Sequence, residues 1–518
     1  MQPEKSSRRA VRSAGKISIL NGFGFFSAFL IDVVIAGQFG LSKETDALFI
    51  ALTIPQLIAS IFLVAVNVAL VPIFTRVLIE ESKSKLWDVA NNLMNITALA
   101  FLLFGVVGSL ISPLIVAVLG AGLPLETRDL AVELNGILFL MVIPIGAIEV
   151  LKATLNALHS FAFPAATALI KNIVILLIIV YNPSLDIRIV AASYVISTFV
   201  QFLFLILSLR FKGFRYKFKL NLRDDFTRES LLQLRHPLAG AFMGQGNVVL
   251  ERFLASFLPL GVVSALGYAR RILRAVDNIF LGSVTTAFLP RLSAQSASSE
   301  NNKYKSTLAT SIKMLAFISL PITALIIGMS ESIIRLLFER GAFSGDDTQT
   351  IALLLTLYVV SIPAWAVFQA LQTSYYSTGD TKRPFQFRII TLVFNIVLDL
   401  LLFYWLGAPG LALALSISRI IITIYTAWML HRLINIVNRP LTVFFVQILI
   451  ASLLFGVIVF VLRGKFGTLS TLARFATLTD MLVRGIIGTI VFFMSLFILQ
   501  VKEVTQFIHQ LQKRFMVF

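Results

Sequence analysis

Three arginines and an aspartate stand inside one apolar stretch, VSALGYARRILRAVDNIFLGSVTTAFLPRL, from Val263 to Leu292. The stretch reads as one long helix. Spacings of three, four and seven place Arg270, Arg274 and Asp277 on one face, with Arg271 beside them. At 1.5 Å per residue these arginines sit roughly 12–16 Å from the helix start, about halfway through a hydrocarbon core. Charge at that depth is costly, so the guanidinium groups must face a wet cavity or partners rather than lipid. Planar guanidinium groups match phosphate oxygens, and the chemistry they suggest is the holding of a diphosphate. The competing account is internal pairing of Asp277 with Arg274 or Arg270. One carboxylate cannot neutralise three arginines, which favours binding.

Two further sets carry charge within apolar runs. Asn395 and Asp399 are four apart, hence on one helical face, and Glu251 lies in the same half of the chain. Two carboxylates and an amide oxygen suit Na⁺ or a proton as a coupling ion. The plainer account pairs Glu251 with Arg252. Lys152 and Lys171 lie in neighbouring apolar runs, with Glu149 one turn before Lys152. A Glu149–Lys152 pair accounts for Lys152 more simply than substrate contact does, and snorkelling to the inner face is a third account. Arg388 and Arg419 read as anchors near an interface.

The elements that hold these residues are membrane spans. The 518 residues are 58% hydrophobic and 14% charged, with a mean hydropathy of +0.89, which excludes an ordinary soluble globule. About fourteen apolar runs are long enough to cross a bilayer as helices, so the chain reads as an all-α membrane protein. The net charge of +18 gathers in short loops between these runs, which argues for topology and contact with anionic lipids rather than nucleic acid. There is no cysteine and there are only four histidines, so a thiolate site or a zinc enzyme is not indicated. No phosphate-cradling loop stands between a strand and a helix, which argues against a built-in ATP motor and against any cofactor beyond a coupling ion.

Residues 47–72 and 265–290 align without gaps and agree at 10 of 26 positions. The offset of 218 residues maps the second span onto the eighth, so each half holds six spans in one orientation. The expected organisation is a basic cytoplasmic tail (1–16), a six-helix lobe (17–209), a basic cytoplasmic linker (210–232), a second six-helix lobe (233–431), and two added helices with a tail (432–518). Pro144 and Pro363 are expected to break the fourth and tenth spans. Basic loops alternate with short or acidic ones, placing both termini in the cytoplasm. One loop dissents: 463–480 carries Arg463, Lys465 and Arg474 yet should lie outside. Two lobes around a cleft is the architecture of an alternating-access transporter.

Several stretches carry a likeness to a known family: TDALFIAL, VSALGYARRI, VTTAFLPRLS, IRLLFERGAFSGDDT, YYSTGDTKRP and LGAPGLALALSIS. In order and spacing they resemble the MurJ/MviN lipid II flippases, of the multidrug/oligosaccharidyl-lipid/polysaccharide exporter superfamily. The resemblance implies fourteen helices, two lobes, and outward movement of a lipid-linked peptidoglycan precursor across the bacterial inner membrane. It implies a headgroup site at Arg271, joined here by Arg270 and Arg274, with Asp32 and Asp46 retained. The family's arginines of spans 1 and 2 are replaced by Phe25, Ile31 and Ala59–Ser60. That departure keeps open a flippase for another polyprenyl-diphosphate-linked glycan, of exopolysaccharide or O-antigen type. A cation-coupled drug exporter would want acids where these arginines stand. A scaffold for cell-wall synthesis proteins would tolerate their loss.

Overall fold

The structure is a computed structural model that describes residues 2–182, 185–243, 245–278, 282–298, 300–436, 438–465 and 473–501. Among these residues the secondary structure is helical throughout, as the composition requires. The chain packs into two compact units, residues up to 264 with 340–343, and residues 265–339 with 344–518.

The first unit contains α1 (Gln2–Phe39), α2 (Lys43–Glu80), α3 (Lys83–Leu110), α4 (Ser112–Leu119), α5 (Leu125–Phe139), α6 (Ile145–Ala157), α7 (Ala162–Val180), α8 (Ile187–Arg210), α9 (Asp225–Met243) and α10 (Gly246–Ala255). Helix α1 starts at Gln2, and its part long and apolar enough to cross a membrane is Ile19–Phe39. The second unit contains nearly all of α11 (Val262–Val276), then α12 (Gly282–Ala297), α13 (Asn301–Phe338), α14 (Gly345–Val359), α15 (Ile362–Ser377), α16 (Lys382–Leu406), α17 (Ala408–Ile434), α18 (Arg439–Val461) and α19 (Ala473–Ile498). Among the described residues, twelve helical segments are long and apolar enough to cross a membrane, with α5–α6 and α14–α15 each counted as one. The other two expected spans correspond to α9–α10 and α11–α12, whose junctions include residues 244 and 279–281, outside the described residues.

Prolines break helices where their missing N–H and ring forbid continuation. Pro144 separates α5 from α6, with a 3₁₀ turn at Leu140–Val142. Pro363 stands in the first turn of α15, just after α14 ends. In a membrane the carbonyls released at such breaks need partners within the protein. Ser416 of α17 donates to Leu357 O at 2.6 Å. Pro55 lies inside α2 and cannot donate to Ala51 O. The buried amide of Asn135 on α5 donates to that oxygen at 2.7 Å instead.

The expected linker is a strap. Asn91, Asn92 and Asn95 project from α3, and each primary amide offers the donor and acceptor that a peptide group requires. Asn92 donates to Asn221 O at 2.6 Å and accepts from Asn221 N at 2.7 Å. Asn91 donates to Arg215 O and accepts from Lys217 N. Asn95 donates to Lys217 O and Lys219 O. Lys85–Asp224 and Arg76–Glu229 ion pairs hold the far end. Because α9 then lies along α2, the packing divides the chain after Ser264 rather than within 210–232.

In the second unit α13, α18 and α19 share an apolar core including Met329, Ile448, Phe455 and Phe492. Arg463, just past α18, pairs with Glu331 near the end of α13. The start of the dissenting loop therefore lies at the same end of this unit as the 339–347 connection, as an alternation of fourteen spans requires.

Candidate substrate-binding site

The long helix expected from Val263 to Leu292 is described over all but residues 279–281, which lie outside the described residues. Helix α11 ends at Val276, residues 277–278 take a π-helical turn, and α12 starts at Gly282. Its sequence copy α2 runs unbroken over 38 residues. The change from α- to π-helical winding falls where Asp277 and Asn278 replace Ala59 and Ser60. Short polar side chains compete with the helical backbone, and a π turn widens one turn of the ladder.

The carboxylate of Asp277 pairs with Arg419 of α17 at 3.1 Å, and the two side chains are 13% and 12% exposed. Arg419 also donates to Ser361 Oγ at 3.1 Å and lies 4.6 Å above the centre of the Trp365 ring. Ser361 and Trp365 flank the Pro363 break, so the broken span supplies the seat for Arg419. Arg419 is thus a buried ion-pair partner and not the interfacial anchor expected, whereas Arg388 is exposed near the start of α16. Its place eleven residues into a 27-residue apolar helix was the available signal.

Arg270 and Arg271 are half-buried and Arg274 is exposed. Arg274 lies within electrostatic reach of Arg271 and Asp277, and Arg270 within reach of Arg419. The second unit therefore gathers four guanidinium groups, two of which, Arg274 and Arg419, act on the Asp277 carboxylate. Such a cluster suits a multiply charged anion, and only one member of it was hidden from the sequence.

The remaining candidates are placed as follows. Asp46 is 1% exposed and accepts from Gly261 N, Ser264 N and Ser264 Oγ at 2.6, 2.8 and 2.7 Å. It serves the first turn of α11, where unpaired N–H groups favour a carboxylate, rather than standing open to a headgroup. Asp32 is buried in α1. Glu251 is buried in the first unit, while its neighbour Arg252 donates to Val263 O and lies over Phe49. Asn395 and Asp399 belong to the second unit. Together with Pro384 and Phe387 they are the buried residues of α16, and the Asn395 amide nitrogen has no hydrogen-bond partner. Lys152 pairs with Glu149 at 2.8 Å, the simpler of the accounts.

The family model described as lipid II flippase MurJ matches residues 35–514. A probable lipid II flippase MurJ of Vibrio cholerae is 27% identical over 428 residues, covering 80% of this chain and 81% of its own. That of Thermotoga maritima is 25% identical over 456 residues, covering 87% and 90%. A solved lipid II flippase MurJ in an inward closed conformation superposes with a TM-score of 0.79 at 26% identity, over 94% of this chain and 99% of that one. An inward-facing multidrug transporter of the MATE family shares the fold, with a TM-score of 0.65 at 18% identity over 80% and 94%. With its helices in matching order and the family model spanning nearly all of them, the chain belongs to the lipid II flippase MurJ family.

Proposed function

We propose that this chain, a multi-pass transporter of the bacterial inner membrane and not an enzyme, moves lipid II from the inner to the outer leaflet by alternating access. The observation that carries the reading is the gathering of Arg270, Arg271, Arg274 and Arg419 in a member of this family. Guanidinium groups in a low-dielectric site bind phosphate oxygens strongly, and Arg271 is assigned to the diphosphate with Arg270 and Arg274 beside it. The polyprenyl tail stays in lipid. Both termini lie in the cytoplasm, and the basic inner loops meet anionic lipids.

Coupling is assigned to Asp399 with Asn395, and to Glu251. In this reading the coupling ion is Na⁺ or a proton. Unchanged transport and ion dependence in Glu251→Gln and Asp399→Asn would remove this part.

The deciding experiment is complementation of cells depleted of their lipid II flippase, with wild type and Arg271→Ala side by side. Rescue by the first and failure of an equally expressed second supports the reading. Rescue by both keeps the activity and removes the site. Failure of well-expressed wild type favours the second reading, a flippase for another polyprenyl-diphosphate-linked glycan, which the replaced arginines of the first two spans recommend.

A further inference from the structure

Lys171 is the tenth residue of α7 and lies about 14 Å from either end of that helix. The buried or half-buried stripe of α7 is Thr167, Lys171, Ile175 and Ile179, while Ile173, Leu177 and Val180 are exposed. The ammonium is therefore directed into the first unit and away from lipid. Across from it the buried ring of Tyr194 on α8 has its centre 5.8 Å from Nζ. Lys152 of α6 is close enough for its charge to act on Lys171. Lys152 is already paired with Glu149, whose second carboxylate oxygen is buried without a hydrogen bond.

The charges do not balance. The Glu149 carboxylate is taken by Lys152, and among the described residues no acidic side chain pairs with Lys171. A cation–π contact returns only part of the cost of a charge at mid-membrane depth. A packing role needs no ammonium, since methionine fills the same volume without that cost. The two lysines are also where positive charge is otherwise missing. From Ile19 to Phe39 and from Ala47 to Thr75, α1 and α2 hold no Lys or Arg. Asn172, the next residue on α7, ties that helix to α1 through Gly24 O at 2.9 Å and Ser27 Oγ at 3.1 Å.

We propose that Lys171, backed by Lys152, is an anion-binding subsite of the first unit that takes an acidic group of the transported headgroup. That group is either the diphosphate or a carboxylate of the peptide. The assignment rests on the lipid II reading above. Glu149 sets the strength of the subsite by holding Lys152.

The test is equilibrium binding of lipid II and of undecaprenyl diphosphate to the full-length protein in nanodiscs, for wild type, Lys171→Met and Glu149→Gln. Lys171→Met should keep its thermal stability and bind lipid II at least about tenfold more weakly, the worth of one charged contact. Glu149→Gln should bind more tightly, an opposite sign that a packing role does not produce. Loss of undecaprenyl diphosphate binding as well assigns the anion to the diphosphate, and loss confined to lipid II assigns it to the peptide. Wild-type affinity in a folded Lys171→Met, or weakening in both variants, overturns the subsite alone. A wild type that binds no lipid II overturns the lipid II reading and the subsite with it.

Discussion

Asp277 and Arg419 lie 142 positions apart and meet at 3.1 Å inside the second unit. Their pairing joins the π-helical turn after α11 to the break between α14 and α15, because Arg419 is seated on Ser361 and Trp365. Removing one partner from a buried pair leaves an uncompensated charge, worth about 3–5 kcal/mol. Asp277→Ala should therefore lower the thermal midpoint well below wild type. The double variant Asp277→Ala/Arg419→Met should recover most of that stability while remaining inactive in complementation. A single variant as stable as the wild type would show that the pair holds nothing.

Pro55 and Asn135 form a second coupled set, since the amide of Asn135 takes the place of the N–H that Pro55 lacks. Asn135→Leu should cost about 1–3 kcal/mol by stranding Ala51 O. In a Pro55→Ala background the helix can bond that oxygen itself, and the same change should cost less. A double-mutant cycle on thermal or denaturant unfolding reads the coupling, expected to be about 1 kcal/mol.

The strap offers a local readout. Asn92 makes three hydrogen bonds, to both backbone groups of Asn221 and to Thr227. Asn92→Ala should loosen residues 214–221 without unfolding the helices. Trypsin should then cut after Arg215, Lys217 or Lys219 several times faster than in wild type, with the thermal midpoint little changed.

Asp224 gives the strap a pH dependence. Its partial burial would raise the pKa, but the hydrogen bonds from Lys85 and Thr227 and the Lys85 charge outweigh it and hold the group below its ordinary value of 3.8. A carboxylate lowered on folding contributes stability above its unfolded value and loses it as pH falls through the folded one. Docking should thus be constant from neutral pH down to about 4 and weaken below that. Trp87, whose ring centre is 5.4 Å from that of Phe214, reports it by fluorescence in a variant lacking the other tryptophans. Asp224→Asn should be weaker at neutral pH and flat across this range.

Arg484 is fully buried in α19, paired with Asp480 and donating to Ser332 Oγ at 2.7 Å and Val459 O at 3.2 Å. It fixes α19 to both α13 and α18. Arg484→Ala should cost about 3–5 kcal/mol, because Asp480 is left buried without its partner. Arg484→Met with Asp480→Leu should restore stability, as read by thermal unfolding in detergent.

The sequence alone determined the helical membrane class, the break prolines Pro144 and Pro363, the internal copy of 47–72 at 265–290, and the arginines of α11. These follow from hydropathy, from the missing N–H of proline, and from the cost of charge in hydrocarbon, all of which act locally along the chain. What only the tertiary structure decided were the partners. Asp277 met Arg419 of another helix, Asp46 served Gly261 and Ser264, and Asn91, Asn92 and Asn95 read the backbone of a distant strap. In each case a polar group removed from water must be satisfied by whatever packing brings within about 3 Å. Neighbours contributed by other helices cannot be inferred from the periodicity of one. For Lys171 folding brought a ring and a like charge but, among the described residues, no acid.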